Sequence, residues 1–149
     1  MHAIAFHPDG ERLLGGGNSG IRLWKLADGQ EIAKQTSKEL YAISISRDGK
    51  WAVCGTREGA RVWDAELREE VSVVEGESRV CAVDVSPDSA KFATGTLDKD
   101  SASIWDMASG ARLVGPLEHD NDVTGRRDGK IIVHDLATFL PDRVSNILF

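Results

Sequence analysis

Nucleophilic catalysis needs a serine or cysteine, a histidine and a carboxylate that orients the histidine, and this chain contains all of these residue types. The histidines are His2, His7, His119 and His134. None of the serines lies in a nucleophile-elbow sequence, and no pair of carboxylates has an arrangement suited to acid–base catalysis. We therefore predict that the protein is not an enzyme.

Two short motifs match cofactor or metal sites in spacing. Gly15, Gly17 and Gly20 have the spacing of a dinucleotide fingerprint, which binds a pyrophosphate only where it opens a helix. An alternating strand pattern, IRLWKL, follows instead, so we interpret these glycines as a hairpin turn that needs positive φ. Asp98 and Asp100 have calcium-loop spacing, but alanine stands at the third ligand position and no glycine follows. We predict no cofactor at either motif.

The acidic stretch EHDND, residues 118–122, places a histidine among carboxylates that in principle coordinate a metal. One histidine in an acidic loop is weak support, so we favour a solvated loop and predict no bound metal. The pair Arg126-Arg127 offers a similar choice. Two arginines can bind a phosphorylated or acidic segment, but they are also ordinary turn residues, which is the reading we favour.

Composition argues against two classes of partner. The 149 residues carry 18 basic and 24 acidic side chains, for a net charge of −6 and a pI of 5.2. No overall field therefore attracts phosphate backbones or anionic lipid, and we predict neither a nucleic-acid nor a membrane partner. The sequence starts without a basic leader and contains no apolar run of about 20 residues, which favours an intracellular protein of the cytoplasm or nucleus. Cys54 and Cys81 lie in alternating apolar segments, and we predict that both are buried free thiols.

The sequence repeats itself at a spacing of about 40 residues. Trp24, Trp63 and Trp105 end the runs IRLW, ARVW and ASIW. Ahead of each tryptophan lies a turn sequence, HPDG, SRDG or SPDS. Each turn follows a short run of period-two alternation, AIAF, AISI or AVDV, which indicates a strand. The chain then runs back through a second strand, enters the tryptophan strand and ends each unit in a fourth, so every unit is predicted to be a four-stranded antiparallel meander.

These units resemble WD40 repeats, which form the four-stranded blades of β-propellers. The Trp-Asp pair stands at Trp63-Asp64 and Trp105-Asp106, whereas the first unit has Trp24-Lys25 and the last has His134-Asp135. The resemblance implies an all-β fold, an open arc of three blades plus a partial fourth in one domain. Its blades are expected at about residues 1–36, 37–76 and 77–116, with a partial blade at 117–138 and a tail at 139–149.

The resemblance also implies a buried network that joins a loop histidine to a strand hydroxyl, the tryptophan and a turn aspartate. In the third unit Thr94, Trp105 and Asp98 match this pattern, but the preceding loop has no histidine. In the second unit Glu58 replaces the aspartate. These repeats are therefore expected to be less rigid than typical members of the family.

The fourth unit is shortened. Asp122-Val123 matches Arg79-Val80, and Thr124-Gly125 matches Thr94-Gly95, so residues 81–93 have no counterpart. We expect residues 124–135 to form a hairpin that packs on the third blade. Because closed propellers have about 4 to 8 blades, we favour a piece of a longer propeller; the alternatives are two copies that complete a ring and an arc that stays open.

The remaining candidate site is a surface. In a meander, the loop before the first strand and the turn between the second and third strands meet at one end of the blade. In WD40 proteins that end is the usual docking face for peptides and proteins, and tyrosine and arginine are frequent anchors. The predicted partner-binding residues are Glu39, Tyr41, Arg57, Arg79, Cys81, Leu97, Asp122 and Arg127.

The predicted function is thus a non-catalytic protein–protein interaction scaffold, with protein or peptide partners and self-association through exposed blade faces. The alternative is a truncated propeller fragment with no independent function.

Overall fold

The computed structural model describes residues 2–35, 39–75, 77, 79–98 and 101–118. These residues form three four-stranded antiparallel sheets, each with its strands in sequence order. Blade 1 consists of β1 (Ala3–Phe6), β2 (Arg12–Gly17), β3 (Gly20–Lys25) and β4 (Glu31–Gln35). Blade 2 consists of β5 (Leu40–Ile45), β6 (Trp51–Thr56), β7 (Gly59–Asp64) and β8 (Glu70–Glu75). Blade 3 consists of β9 (Val80–Val85), β10 (Lys91–Thr96), β11 (Ser101–Asp106) and β12 (Arg112–Glu118).

This architecture confirms the predicted all-β class and the predicted meander in each unit. Blade 1 packs on blade 2 and blade 2 packs on blade 3, so the described sheets form an open arc. The described part of the chain has no helix, hence none with the length and hydrophobicity to span a bilayer. The partial fourth blade was predicted at residues 117–138, but residues 117 and 118 end strand β12 of blade 3. The rest of that segment and the predicted tail lie outside the described residues.

The predicted turn sequences reverse the chain between the first and second strands of each blade. Gly10 and Gly49 both have φ +72°, and Ser89 adopts +59° at the corresponding place in blade 3. This left-handed region costs a non-glycine residue about 1–2 kcal/mol. The turns also touch one another, because the Nε2 of His7 lies 3.0 Å from the Gly49 carbonyl oxygen. Adjacent blades are therefore linked at this end, which we call the lower end.

The glycine run of blade 1 differs from its prediction. Gly15 and Gly17 belong to strand β2, where Gly15 pairs with β1 and β3 and Gly17, the last residue of the strand, pairs with β3. The hairpin turn is made by residues 18 and 19. Only Gly20 in this run has positive φ, at +100°. The prediction that the whole run forms the turn was therefore wrong for Gly15 and Gly17.

Consecutive blades pack with unlike faces in contact. We call the face that carries the tryptophan the leading face of a blade, and the opposite face its trailing face. The leading face of blade 2, with Trp63, packs against Leu14 and Leu23 on the trailing face of blade 1. These side chains are at most 7% exposed, and burial of each large apolar side chain stabilises the fold by about 1.5–3 kcal/mol.

The second interface repeats the first. Trp105 and Phe92, on the leading face of blade 3, pack against Val53 and Val62 on the trailing face of blade 2. Val53 and Val62 are paired across β6 and β7, as Leu14 and Leu23 are across β2 and β3. The repeat in sequence is thus a repeat in packing.

A glycine on each trailing face lets the next blade approach closely. A Cβ at Gly16 would lie 3.0 Å from the Cδ2 of Leu40, the first residue of β5. A Cβ at Gly55 would lie 2.6 Å from the carbonyl oxygen of Val80, the first residue of β9. At Gly55 no side chain fits without a shift of the backbone, whereas at Gly16 the neighbouring atoms would have to give way by a few tenths of an ångström.

Candidate partner-binding surface

The upper end of the arc is opposite the linked turns. It carries the residues that precede β5 and β9 and the turns between the second and third strands of each blade. In blade 3 these two segments are joined directly, because the backbone N–H of Leu97 donates to the Arg79 carbonyl at 3.0 Å. The predicted surface residues of the described chain all lie at this end.

Tyr41 is the centre of a polar cluster at this end. Its hydroxyl donates to a Glu39 carboxylate oxygen at 2.9 Å, and the guanidinium carbon of Arg79 lies 5.9 Å from the centre of its ring. The hydrogen bond to Glu39 and partial desolvation raise the pKa of the Tyr41 phenol, while the charges of Arg79 and Arg57 oppose that shift. These four predicted residues thus lie together on one surface of blades 2 and 3.

His2 extends the cluster onto blade 1. Its ring stacks on Tyr41 with centroids 6.2 Å apart and planes at 11°, and its Nδ1 lies 3.2 Å from the Leu40 carbonyl oxygen. His2 was not among the residues predicted for this surface. The signal was present, because His2, Tyr41 and Cys81 each stand two positions before the apolar residue Ile4, Ile43 or Val83.

Cys81 and Leu97 complete the described part of the predicted surface. Leu97 is 55% exposed, and Cys81 is exposed, so the prediction that both cysteines are buried was correct for Cys54 and wrong for Cys81. Desolvation and the nearby Asp98 raise the pKa of the Cys81 thiol, against the effect of Arg79. The thiol is therefore not activated as a nucleophile. The other two predicted residues, Asp122 and Arg127, lie outside the described residues.

A buried network supports this end of blade 3. The indole N–H of Trp105 donates to the Thr94 hydroxyl at 2.9 Å, and that hydroxyl donates to Glu77 at 2.6 Å. Arg112 lies 3.7 Å from the other Glu77 oxygen and 4.6 Å from the centre of a Trp105 ring. The Thr94–Trp105 pair confirms part of the expected network, but the carboxylate that accepts from the Thr94 hydroxyl is Glu77 and not Asp98.

Blade 2 has no such network. Cys54 occupies the strand position that Thr94 has in blade 3, and the buried Nε1 of Trp63 has no hydrogen-bond acceptor among the described residues. The Thr56 hydroxyl donates instead to the Gly59 carbonyl within its own turn, at 2.9 Å. Blade 2 is thus held chiefly by apolar packing.

Two further features of the surface bear on ligands. An open groove of about 310 Å³ lies beside the β6–β7 turn, lined by Thr56, Arg61 and Val73 among others. Within the described ranges, no three histidine, cysteine, aspartate or glutamate side chains are grouped to hold a metal ion. The acidic stretch at 118–122 falls largely outside those ranges.

Comparison with known proteins identifies the repeats. The family model for the WD domain, G-beta repeat, matches residues 1–25 and 68–106. Protein groucho of Drosophila melanogaster is 30% identical over 129 residues, which cover 80% of this chain and 17% of groucho. The small ribosomal subunit protein RACK1z of Arabidopsis thaliana is 31% identical over 73 residues, which cover 48% of this chain and 22% of RACK1z. The chain thus spans about a fifth of the length of these curated relatives.

A solved structure shows the same fold. The structure of U3-55K superposes with a TM-score of 0.74 at 18% identity, covering 81% of this chain and 40% of that one. At this identity the likeness concerns the fold alone. It supports the interpretation of the three described sheets as blades of an incomplete propeller.

Proposed function

Because this chain is a WD40-repeat protein, we propose that it is a non-catalytic protein-interaction module that binds protein or peptide partners at its upper end. The observation that carries the proposal is the cluster of Tyr41, Arg79, Arg57 and Glu39 on adjoining blades. Tyrosine and arginine are the residue types that most often dominate binding energy. Relatives such as the ribosomal-subunit protein RACK1z support membership of a larger assembly.

The geometry favours recognition because the anchors are held in place before a partner arrives. Tyr41 is fixed by its bond to Glu39, its ring stacks with His2, and the Arg79 guanidinium lies 5.9 Å from the ring centre. Side chains that are already ordered lose little conformational entropy on binding. Immobilising a mobile side chain at an interface costs about 0.5–1.5 kcal/mol. The exposed Leu97 adds an apolar contact beside them.

Catalysis has no support from the two thiols. Burial raises the pKa of Cys54 to about 12, and the pKa of Cys81 is also raised. Neither is therefore a thiolate at neutral pH, the form that attacks substrates. The net charge of −6 gives no overall attraction for phosphate backbones or anionic lipid, which supports protein partners over nucleic acid or membrane. We propose the cytoplasm or nucleus as the compartment.

The test is retention of partners from a cell extract on the immobilised chain, with bound proteins quantified by mass spectrometry. Affinity of a retained partner should fall at least tenfold with Tyr41→Ala or Arg79→Ala, since a hot-spot truncation costs about 2 kcal/mol or more. Arg47→Ala is the matched control, because Arg47 is exposed in the β5–β6 turn at the lower end. If no partner is retained, or if the upper-end variants behave like Arg47→Ala, the proposal is wrong.

A further inference from the structure

The leading face of blade 1 has no described blade against it. Phe6, Leu13 and Trp24 form a row across β1, β2 and β3 by direct pairing. Phe6 is 68% exposed, and Ile4 beside it on the same face is 57% exposed. A contiguous apolar face of this kind usually marks an interaction site.

The same row recurs in the other blades, where it is covered. In blade 2 the row is Ile45, Ala52 and Trp63, and it belongs to the apolar cluster shared with blade 1. In blade 3 the row is Val85, Phe92 and Trp105, in the cluster shared with blade 2.

Both interfaces within the chain show what covers such a row. In each case the preceding blade presents one aliphatic pair from its second and third strands, first Leu14 with Leu23 and then Val53 with Val62. Blade 3 presents Ala93 paired with Ile104 at the equivalent position of its trailing face. Both are half-buried rather than fully buried. The two ends of the arc therefore carry the two unlike halves of the interface that the chain already forms twice.

We propose that the leading face of blade 1 binds the trailing face of blade 3 in a second copy of this chain, and the reverse, so that two copies close one ring. The contact is heterologous, and heterologous contacts close into rings or extend into filaments according to their rotation. Apolar burial drives the association, while the net charge of −6 on each copy opposes it. Higher salt therefore tightens it, the opposite of what an interface of ion pairs would show. The proposal is independent of the upper-end surface.

The test is the molar mass of the full chain by light scattering and sedimentation equilibrium, at low and high salt. We expect twice 16.2 kDa, with tighter association at high salt. Phe6→Asp and Ile104→Asp should each give monomers, and an equimolar mixture of the two should form a heterodimer, because one of its two contacts is intact. Val71→Asp is the control, since Val71 is 40% exposed on the outer strand β8 of the middle blade.

Three results would overturn the proposal: a monomeric wild type, a dimer unaffected by Phe6→Asp, or a dimer unaffected by Ile104→Asp. The last would mean either that two leading faces pack on each other, or that the hairpin predicted from the sequence at residues 124–135 covers the trailing face of blade 3 in place of a second copy. Because an aspartate at half-buried Ile104 can unfold blade 3, a second measurement avoids that change. Copies with Phe6→Cys and copies with Ala93→Cys, both with Cys81→Ser, are mixed and oxidised. A disulfide-linked heterodimer is expected, and its absence also refutes the proposal.

Discussion

Removal of the Glu77 carboxylate is the change that tests the blade 3 network most directly. Glu77 is 7% exposed and accepts the Thr94 hydroxyl at 2.6 Å. A hydrogen bond to a charged acceptor contributes about 1.5–3 kcal/mol, and an unsatisfied buried donor costs a similar amount. The ion pair to Arg112 adds at most about 1 kcal/mol, because that side chain is 37% exposed and reaches water.

Glu77→Ala should therefore lower the free energy of unfolding by about 2–4 kcal/mol. Glu77→Gln should lower it by about 1 kcal/mol, since an amide oxygen still accepts from Thr94 but without the charge. The assay is urea unfolding followed by tryptophan fluorescence. The variants can be compared if the m-value, the slope of the free energy of unfolding against urea concentration, is the same in all of them. Glu69→Ala serves as the control, because Glu69 is exposed in the β7–β8 turn.

The double substitution with Thr94→Val completes a thermodynamic cycle. If Glu77 and Thr94 act through their hydrogen bond, the free energies of unfolding lost in the two single variants should add up to more than the loss in the double variant. The expected difference is about 0.5–3 kcal/mol. If Glu77→Ala costs no more than Glu69→Ala, or if the two losses simply add, Glu77 does not hold Trp105 in place through Thr94.

Three other predictions concern packing, thiol chemistry and pH. Gly55→Ala should destabilise the fold in urea by about 1–3 kcal/mol, because its Cβ would lie 2.6 Å from the Val80 carbonyl oxygen; unchanged stability would mean that blade 3 shifts freely. Iodoacetamide should modify Cys81 in the native chain but Cys54 only after unfolding, since Cys54 is buried with its pKa raised to about 12; mass spectrometry after brief labelling decides this. Asp9 is partly desolvated, which opposes ionisation, yet the Glu11 amide, Arg12 and His7 lower its pKa to about 2. Its contribution to stability is therefore complete above about pH 4 and lost as the pH falls towards 2, and Asp9→Asn should flatten acid unfolding across that interval.

Periodicity was sufficient to predict the sheets. The recurring tryptophan runs and the alternation of AIAF, AISI and AVDV located the strands, because a strand with one buried face must repeat its apolar residues at every second position. The same patterns predicted that Tyr41 and Arg79 lie at one end of the blades, since antiparallel strands bring alternate loops to one end. That this end binds partners stays a prediction. Blade boundaries and the segment after residue 118 stay predictions.

Glu77 escaped prediction for a chemical reason. The family pattern predicts a loop histidine as the hydrogen-bond partner of the strand hydroxyl. A buried hydroxyl group needs only an acceptor for its proton, and a carboxylate is one. Nothing in the local sequence shows that this glutamate turns inward. Cys81 was misassigned because alternation predicts which face of a strand a residue occupies, and not that its end of the strand lies at an open rim.

The fit of Gly16 to Leu40 and of Gly55 to Val80 has a consequence for how such a chain can change in length. Each junction sets a glycine against the first residue of the next blade's first strand. A copy of blade 2 inserted after blade 2 would therefore set Gly55 against Leu40, a junction of the same kind as the two that the chain already forms. Tandem duplication of residues 37–76 should therefore give a folded chain with one more blade. Replacement of the glycine, or of the residue at the start of the next strand, should prevent the insertion of a further blade at that junction.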